Sequence, residues 1–564
     1  MRSKYRFYLI GLLMAALVLV VACNAEPEVV VETVIETVIE TQQVEVTRVV
    51  EGEVVTEVQE VEVEVTRVVE VAAEEESTAP TGPTQINISY LQQFVDLNPH
   101  NLNNQAAVAV ADGLFDTLVR VTPDGEVIPW LAESWDISDD GLSIVFHLRE
   151  GVNFIDGTPV NADAVIASAD LFQDPDLYLG RSVLSMSGWE KVDDYTVEFT
   201  FDYPDATALY TLSSGTTAII SPTAWETMGP EEFAINPVGS GPYMLEKWEP
   251  GVEIIMVKNP DYWQEGVGLA DTIVWRNFQD GGAAVLAAQA GELDLLMQQE
   301  PKDVPLFLGI DGFQVDSVKA GWYSLVLNTR IPPFDKIENR MAFAYAIDYN
   351  ALVNVGFEGW ASPAEGLIPP DSWAYVPGSV APLTMDLDAA REMLAAACNP
   401  DGFTFKVSVT PQPFRSQLLQ IMQSSLSEVG ITLEIEVNEF ARHIEILRDD
   451  HNGANAGFVV QQNLHPDPAQ WMRLYAGCNA LVGMSGWCDP ESGLDELLAA
   501  SVATFDRDER IAILDEANKM EMEQFVVIPY AFNQTIYAWN SDKLGEFTPS
   551  FTGGYNYLYL QPAE

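Results

Sequence analysis

The stretch from Gly113 to Asp170 limits the fold more than any other part of the chain, because its punctuation forces short elements of two different periods. Asp139-Asp140-Gly141, Glu150-Gly151 and Asp156-Gly157 are turn sequences: Asp accepts hydrogen bonds from backbone just downstream, and Gly tolerates positive φ. Between the first two, Leu142, Ile144, Phe146 and Leu148 alternate with Ser143, Val145, His147 and Arg149, the period of a half-buried strand. After Asp156-Gly157-Thr158-Pro159 the period lengthens. Asn161 is placed to cap a helix, Asp163 suits its positive end, and Ala162, Val165, Ile166 and Ala169 share one face. A strand and a helix this close together call for α/β layering, and every Asp and Gly here has a turn to make.

Beyond the N-terminal segments the chain runs on for about 480 residues, more than one core accommodates, which implies two large lobes. Apolar runs alternate with helical patterns throughout. Residues 339–353 and 416–429 read as amphipathic helices. In the first, Met341, Ala344, Tyr345 and Asp348 follow helical spacing, and Ala342, Ala346 and Ile347 widen the apolar band enough to bury it.

At the start of the chain, Arg2, Lys4 and Arg6 precede an apolar run from Tyr8 to Ala22 that ends at Cys23. The run is short for a membrane-spanning helix, which needs ~20 residues, and its basic flank fits a secretory signal. Val20-Val21-Ala22-Cys23 resembles a bacterial lipobox, so residues 1–22 are expected to be removed and Cys23 lipidated; a plain transmembrane anchor is the alternative. Residues 23–83 are then a low-complexity tether. VEVTRVVE occurs at Val44–Glu51 and again at Val63–Glu70, and residues 24–80 carry sixteen Glu against Arg48 and Arg67. The Val–Glu alternation imitates an amphipathic strand, but like charges this dense favour an extended, acidic spacer.

The formal net charge of −58 repels nucleic acid and anionic membrane surfaces, so neither is an expected partner. Four cysteines are present. Cys478 and Cys488 bracket a short segment of an exported chain, where a local disulfide would contribute roughly 3 kcal/mol. Cys398 has no evident partner and reads as a buried thiol. No C-x-x-C and no histidine pair at ligand spacing suggests a metal, and no cofactor fingerprint occurs. His100, His147, His443, His451 and His465 form no H-E-x-x-H, and G-x-S-x-G, Walker and dinucleotide motifs are absent. With 85 acids, a carboxylate pair for glycoside hydrolysis can always be picked out, so such a pair carries no weight. An enzyme and a tethered adhesin are the remote alternatives to a binding protein.

The order of the pieces is specific. GLFDTLV, then PWLAESW, the DDG turn, FHLREGVNFIDGTPV and an Asn-Ala-Asp helix start resemble family 5 of the extracytoplasmic solute-binding proteins, the oligopeptide-, dipeptide- and nickel-binding receptors of ABC importers. NPVGSGPYMLEKWEPG with VKNPDYW (236–263), PPFDKIENRMAFAYAIDYNALV (332–353) and HPDPAQW (465–471) follow in the same order. The resemblance implies an α/β, two-lobed periplasmic-binding-protein (clamshell) fold with an extra subdomain in the first lobe. The first lobe would comprise residues 84–123, an inserted subdomain 124–235, residues 236–330 and a C-terminal return 529–564. The second lobe would be 331–528, with Gly321–Arg330 and Val527–Thr535 as the crossing segments. It implies a monomer that hands a small solute to a membrane permease and its ATPase, anchored outside the cytoplasm by Cys23. Family members usually have Gly where Cys398 stands.

The resemblance also places the solute between the lobes. From the first lobe Gln92, Gln93, Phe94, Ser240 and Gly241 are candidates; at the crossings Trp322, Tyr323, Tyr530 and Phe532 would stack on it or fill ordinary core. From the second lobe Gln461, Gln462, Asn463, His465, Asp467 and Trp487 are candidates. Peptide-binding members carry a Trp and, three residues later, an Asp that pairs with the peptide amino terminus. Alignment on Asp467-Pro468 puts Gln461 and Leu464 at those positions, and leucine cannot pair with an ammonium. Asp467 could supply the charge or cap the following helix; one histidine, His465, is thin support for nickel. The amides over Trp487 suit an oligosaccharide as well as a peptide backbone. Oligopeptide is the default expectation, as the commoner cargo of the family.

Overall fold

The computed structural model describes residues 31–50, 53–72 and 84–560, less 92–95, 103–104, 123, 175–182, 279, 412, 440–441, 444, 447–456, 464–466, 481–484, 546, 548 and 550–554. The chain divides into two compact units, Met1–Thr81 with Glu564, and Gly82–Ala563. The signal run, Cys23, Gln92, Gln93, Phe94, Leu464 and His465 lie outside the described residues.

In the smaller unit, strands Val31–Val50 and Glu53–Ala72 pair antiparallel along their whole length. The register sets no glutamate directly opposite another: Glu36 faces Arg67, Glu40 faces Val63 and Glu62 faces Thr41.

The larger unit is built on one continuous sheet. Its neighbours run Tyr243–Glu249, Glu253–Lys258, Thr272–Asn277, Gln85–Tyr90, Leu295–Gln299, Val527–Asn540, Phe313–Leu327, Gly457–Asn463, Thr404–Val409 and Thr432–Val437, with Ala361–Ser362 beside Val527–Asn540. The central pair, Phe313–Leu327 and Val527–Asn540, is antiparallel and longer than the other strands of the sheet, and its register slips between Val318 and Gly321. Both strands serve two cores at each end because side chains alternate across a pleat. Beyond the slip, Tyr323, Leu325 and Leu327 enter one core with Phe343, Phe405 and Leu418, while Trp322 and Val326 enter another with Trp471 and Leu514. Before it, Phe313 and Ala538 pack with helix Gly281–Gln289, while Val318, Tyr537 and Trp539 join the largest core.

That largest core takes in the stretch the sequence singled out. Ser143–Leu148 is a strand with strictly alternating burial, in a four-stranded sheet with Ala132–Ile137, Thr196–Phe201 and Met186–Asp193. Ala162–Phe172 is a helix whose cap, Asn161, accepts from the Ala164 N–H at 3.1 Å. The helix expected over 339–353 is broken instead. Ile337–Tyr345 ends before Asp348, which caps a new turn at Tyr349–Ala351, and a π-helical segment follows over Leu352–Gly356. Asp348 offers its carboxylate to the Ala351 N–H at 2.9 Å, and this local bond outcompetes the continuous ladder. Cys398 is exposed rather than buried: it sits at φ 63°, just past helix Leu387–Ala396, in the left-handed position that ends helices and that Gly fills most cheaply.

Candidate functional site

Three of the sequence blocks that carry the family resemblance, GLFDTLV, PWLAESW and 236–263, converge on one carboxylate. Asp116, from GLFDTLV, is fully buried. It accepts from Trp130 Nε1 at 2.7 Å, the Tyr262 hydroxyl at 2.9 Å, Ser240 Oγ at 3.0 Å and Trp263 Nε1 at 3.2 Å. Arg120 lies 3.8 Å away, with its guanidinium 4.8 Å from the Trp130 ring centroid. Burial pushes the Asp116 pKa up, and Arg120 and the donors oppose it. The approach needs glycine: a Cβ at Gly241 would lie 2.5 Å from the Gly113 carbonyl oxygen, and one at Gly239 would lie 2.1 Å from that of Leu114. Ser240 and Gly241, expected at the solute, are thus committed to holding the first lobe together.

The crossing-strand aromatics are likewise buried in the described structure. Trp322, Tyr530 and Phe532 are at most 1% exposed, and Trp322 donates through Nε1 to the Leu367 carbonyl at 2.9 Å. Tyr323 is enclosed by Phe357, Phe414 and Tyr530, and burial pushes its pKa up to about 12. These residues pack into the cores on both faces of the crossing strands. Asp467 caps helix Pro468–Tyr475, accepting from the Ala469 N–H at 3.0 Å, and forms a buried ion pair with Arg510 at 2.7 Å. Both its oxygens are therefore engaged within the protein. Trp487 is buried, and its backbone N–H donates to Ser485 Oγ. The Cys478 and Cys488 sulfurs are bonded, closing the loop that holds Trp487.

What remains near the crossing is the strand of amides. Gly457–Asn463 pairs with the first crossing strand so that Gln461, Gln462 and Asn463 stand opposite Tyr323, Trp322 and Gly321. Gly321 in turn stands opposite Asn533. Asn533 Oδ1 and Gln299 Oε1 are buried and, among the described residues, without a partner. Sequence reasoning passed over both, although Asn533, directly after the apolar run Val526–Phe532, was a usable signal. Thr404–Val409, Thr432–Val437 and Gly457–Asn463 are parallel, so their C-terminal ends lie together. In open α/β sheets that is the edge where ligands bind. Among the described residues no group of His, Cys, Asp or Glu is placed to hold a metal.

The family model for bacterial extracellular solute-binding proteins, family 5, middle, matches residues 126–480. The glutathione-binding protein GsiB of Salmonella typhi is 30% identical over 475 residues, 82% of this chain and 91% of the relative. Among solved structures, the periplasmic binding protein DppA of Helicobacter pylori, in complex with peptide STSA, is similar at TM-score 0.71 and 24% identity, over 86% of this chain and 99% of that one. NikA of Brucella suis, in complex with Fe(III)-EDTA, is similar at TM-score 0.76 and 22% identity, over 85% of this chain and 100% of that one. The two folds agree while the bound solutes differ, so the fold leaves the cargo open. These relatives are two-lobed binding proteins of ABC transporters and not enzymes. No described helix is long and apolar enough to cross a membrane. By a match spanning most of its length and a relative alike along nearly the whole of its own, the chain belongs to family 5 of the bacterial extracellular solute-binding proteins, the extracytoplasmic receptors of ABC importers.

Proposed function

We propose that this receptor takes a short peptide between two lobes, residues 84–330 with 529–564 on one side and 331–528 on the other, with 124–235 inserted in the first. The observation that carries the reading is the 30% identity, along 82% of the chain, to glutathione-binding proteins. Solute would touch both lobes and so favour the closed form, the lobes bending where the register slips between Val318 and Gly321. The receptor would act as a monomer, held to the outer membrane face by a lipid on Cys23, and deliver its solute to a permease driven by an ATPase. Gln461, Gln462 and Asn463 would meet peptide amides from the second lobe, with Asn533 at the floor. A second reading is an oligosaccharide, favoured by those amides and by Leu464 in place of the amine-binding Asp.

Calorimetry with reduced glutathione, unmodified tri- to pentapeptides and short oligosaccharides tests both. Saturable binding of a peptide with a fall in radius of gyration on saturation is the expected result. Binding of an oligosaccharide alone transfers the assignment to the second reading, and an unchanged radius at saturation refutes lobe closure.

A further inference from the structure

Segment 124–210 and the second-lobe segments around 373, 470 and 502–510 meet directly, away from the crossing strands. The Ala206 N–H donates to the Val502 carbonyl at 2.7 Å, Gln470 Nε2 donates to Thr207 Oγ1 at 2.5 Å, and an Arg507 guanidinium N–H donates to the Asp124 carbonyl at 2.8 Å. Trp373 is the keystone of this seam. It comes from the long connection after Ala361–Ser362, yet packs against both the largest core and the core around Trp471. Its ring stacks on Tyr210, centroids 6.1 Å apart and planes 9° apart, while the Tyr210 hydroxyl donates to the Gly125 carbonyl at 3.2 Å. Gly125 has φ 75°, and a Cβ there would come within 2.7 Å of the Trp373 ring. From the second lobe, the Arg507 and Arg510 guanidinium groups lie 5.3 and 5.2 Å from the same ring.

The connection is tied at both regions. Two residues before Trp373, the Asp371 carboxylate accepts from the Lys319 N–H at 2.6 Å, inside the register slip of the crossing strands. Upstream, the Leu367 carbonyl accepts from both Trp322 and Trp471. A segment fixed to the crossing and to the second lobe therefore carries one aromatic ring into a site made by the first. The ring's partners on the two sides belong to different lobes, so opening would strip it of the Tyr210 stack and the Gly125 contact.

We propose that Trp373 is a positioning residue for solute capture: it latches the first lobe to the second, so part of the preference for the closed form is supplied by the protein and not by the solute. The proposal rests on the clamshell reading above. A solute that binds the closed form has its dissociation constant divided by the closed fraction, so weakening the latch raises Kd without removing a solute contact. Opening breaks the Tyr210 stack but keeps the Arg507 and Arg510 contacts, which lie on the same lobe as Trp373, so loss of the stack corresponds to roughly two- to tenfold in that equilibrium.

The test uses the whole chain. Small-angle scattering without solute compares wild type, Trp373→Ala, Tyr210→Ala and the double variant, each checked for native circular dichroism. The expected result is a larger radius for either single variant, with no further increase in the double, because both remove the same contact. Titration with reduced glutathione, or with the tightest peptide from the panel above, should show Kd raised roughly two- to tenfold and the radius returning to the wild-type value at saturation. A ligand-free radius identical in wild type and both single variants overturns the latch, whichever solute binds. If the radius grows as expected and no peptide binds, the latch stands and the peptide reading fails. If Trp373→Ala does not fold, Tyr210→Ala decides alone, from the other side of the contact.

Discussion

Replacing Asp116 by alanine should be among the most damaging single changes in the first lobe, and the size of the effect follows from its partners. Four donors converge on its two oxygens, and Arg120 stands beside them. The hydroxyls of Ser240 and Tyr262 can turn toward another acceptor; the indole N–H groups of Trp130 and Trp263 cannot. Leaving those two unpaired costs about 1–3 kcal/mol each, less for half-buried Trp263 because water can reach it. Arg120, itself 2% exposed, loses its buried counter-charge, which costs about 3–5 kcal/mol when one partner is removed. The sum, about 4–8 kcal/mol after allowing for relaxation, is comparable with the whole stability of many domains. Asp116→Asn keeps the shape and one acceptor oxygen but points an N–H₂ at donors, so it should fall between wild type and alanine. Urea denaturation followed by tryptophan fluorescence reads the midpoint, and Trp130 and Trp263 report the site directly. Asp136, whose side chain is 81% exposed beside His147, is the control and should leave the midpoint almost unmoved when changed to alanine. An Asp116→Ala midpoint as close to wild type as the control's would refute the idea that this carboxylate organises the lobe.

Glu521 is fully buried in the second lobe with neither oxygen partnered among the described residues, and burial holds its pKa well above the ordinary range. Its folded pKa exceeds its unfolded one, so the stability it contributes is present below the unfolded value, ~4.3, and is lost as pH rises toward the folded value, at about 1.4 kcal/mol per pH unit. Glu521→Gln should flatten the alkaline side of a melting-temperature–pH profile; an unchanged slope there rules out this assignment. His100 and His443, whose burial lowers both pKa values to about 4, act on the other side: their contribution fades as pH falls from about 6.5 through 4. For the N-terminus, mass spectrometry of membrane-extracted protein should find a chain beginning at diacylated Cys23, and an intact Tyr8–Ala22 run refutes it.

What the sequence determined by itself was local. The strand of alternating residues ending at Leu148 and the helix capped by Asn161 follow from turn chemistry and period, which act within a few residues and survive in any context. The same holds for the crossing strands, whose length and composition mark them as sheet. Alternation says which residues share a face, but not what that face meets. Trp322, Tyr323, Tyr530 and Phe532 looked equally suited to a solute or to a core, and only the tertiary structure shows them packed into cores on both sides of the sheet. Asp116 looked like one more turn acid because its donors come from positions 130, 240, 262 and 263, and nothing local announces a contact across 147 residues. Trp373 lies in a connection with no regular period, so its role depended entirely on where two lobes bring Tyr210, Gly125 and two arginines. Contacts of that kind are set by the closure of the chain on itself, whose geometry only the tertiary structure carries.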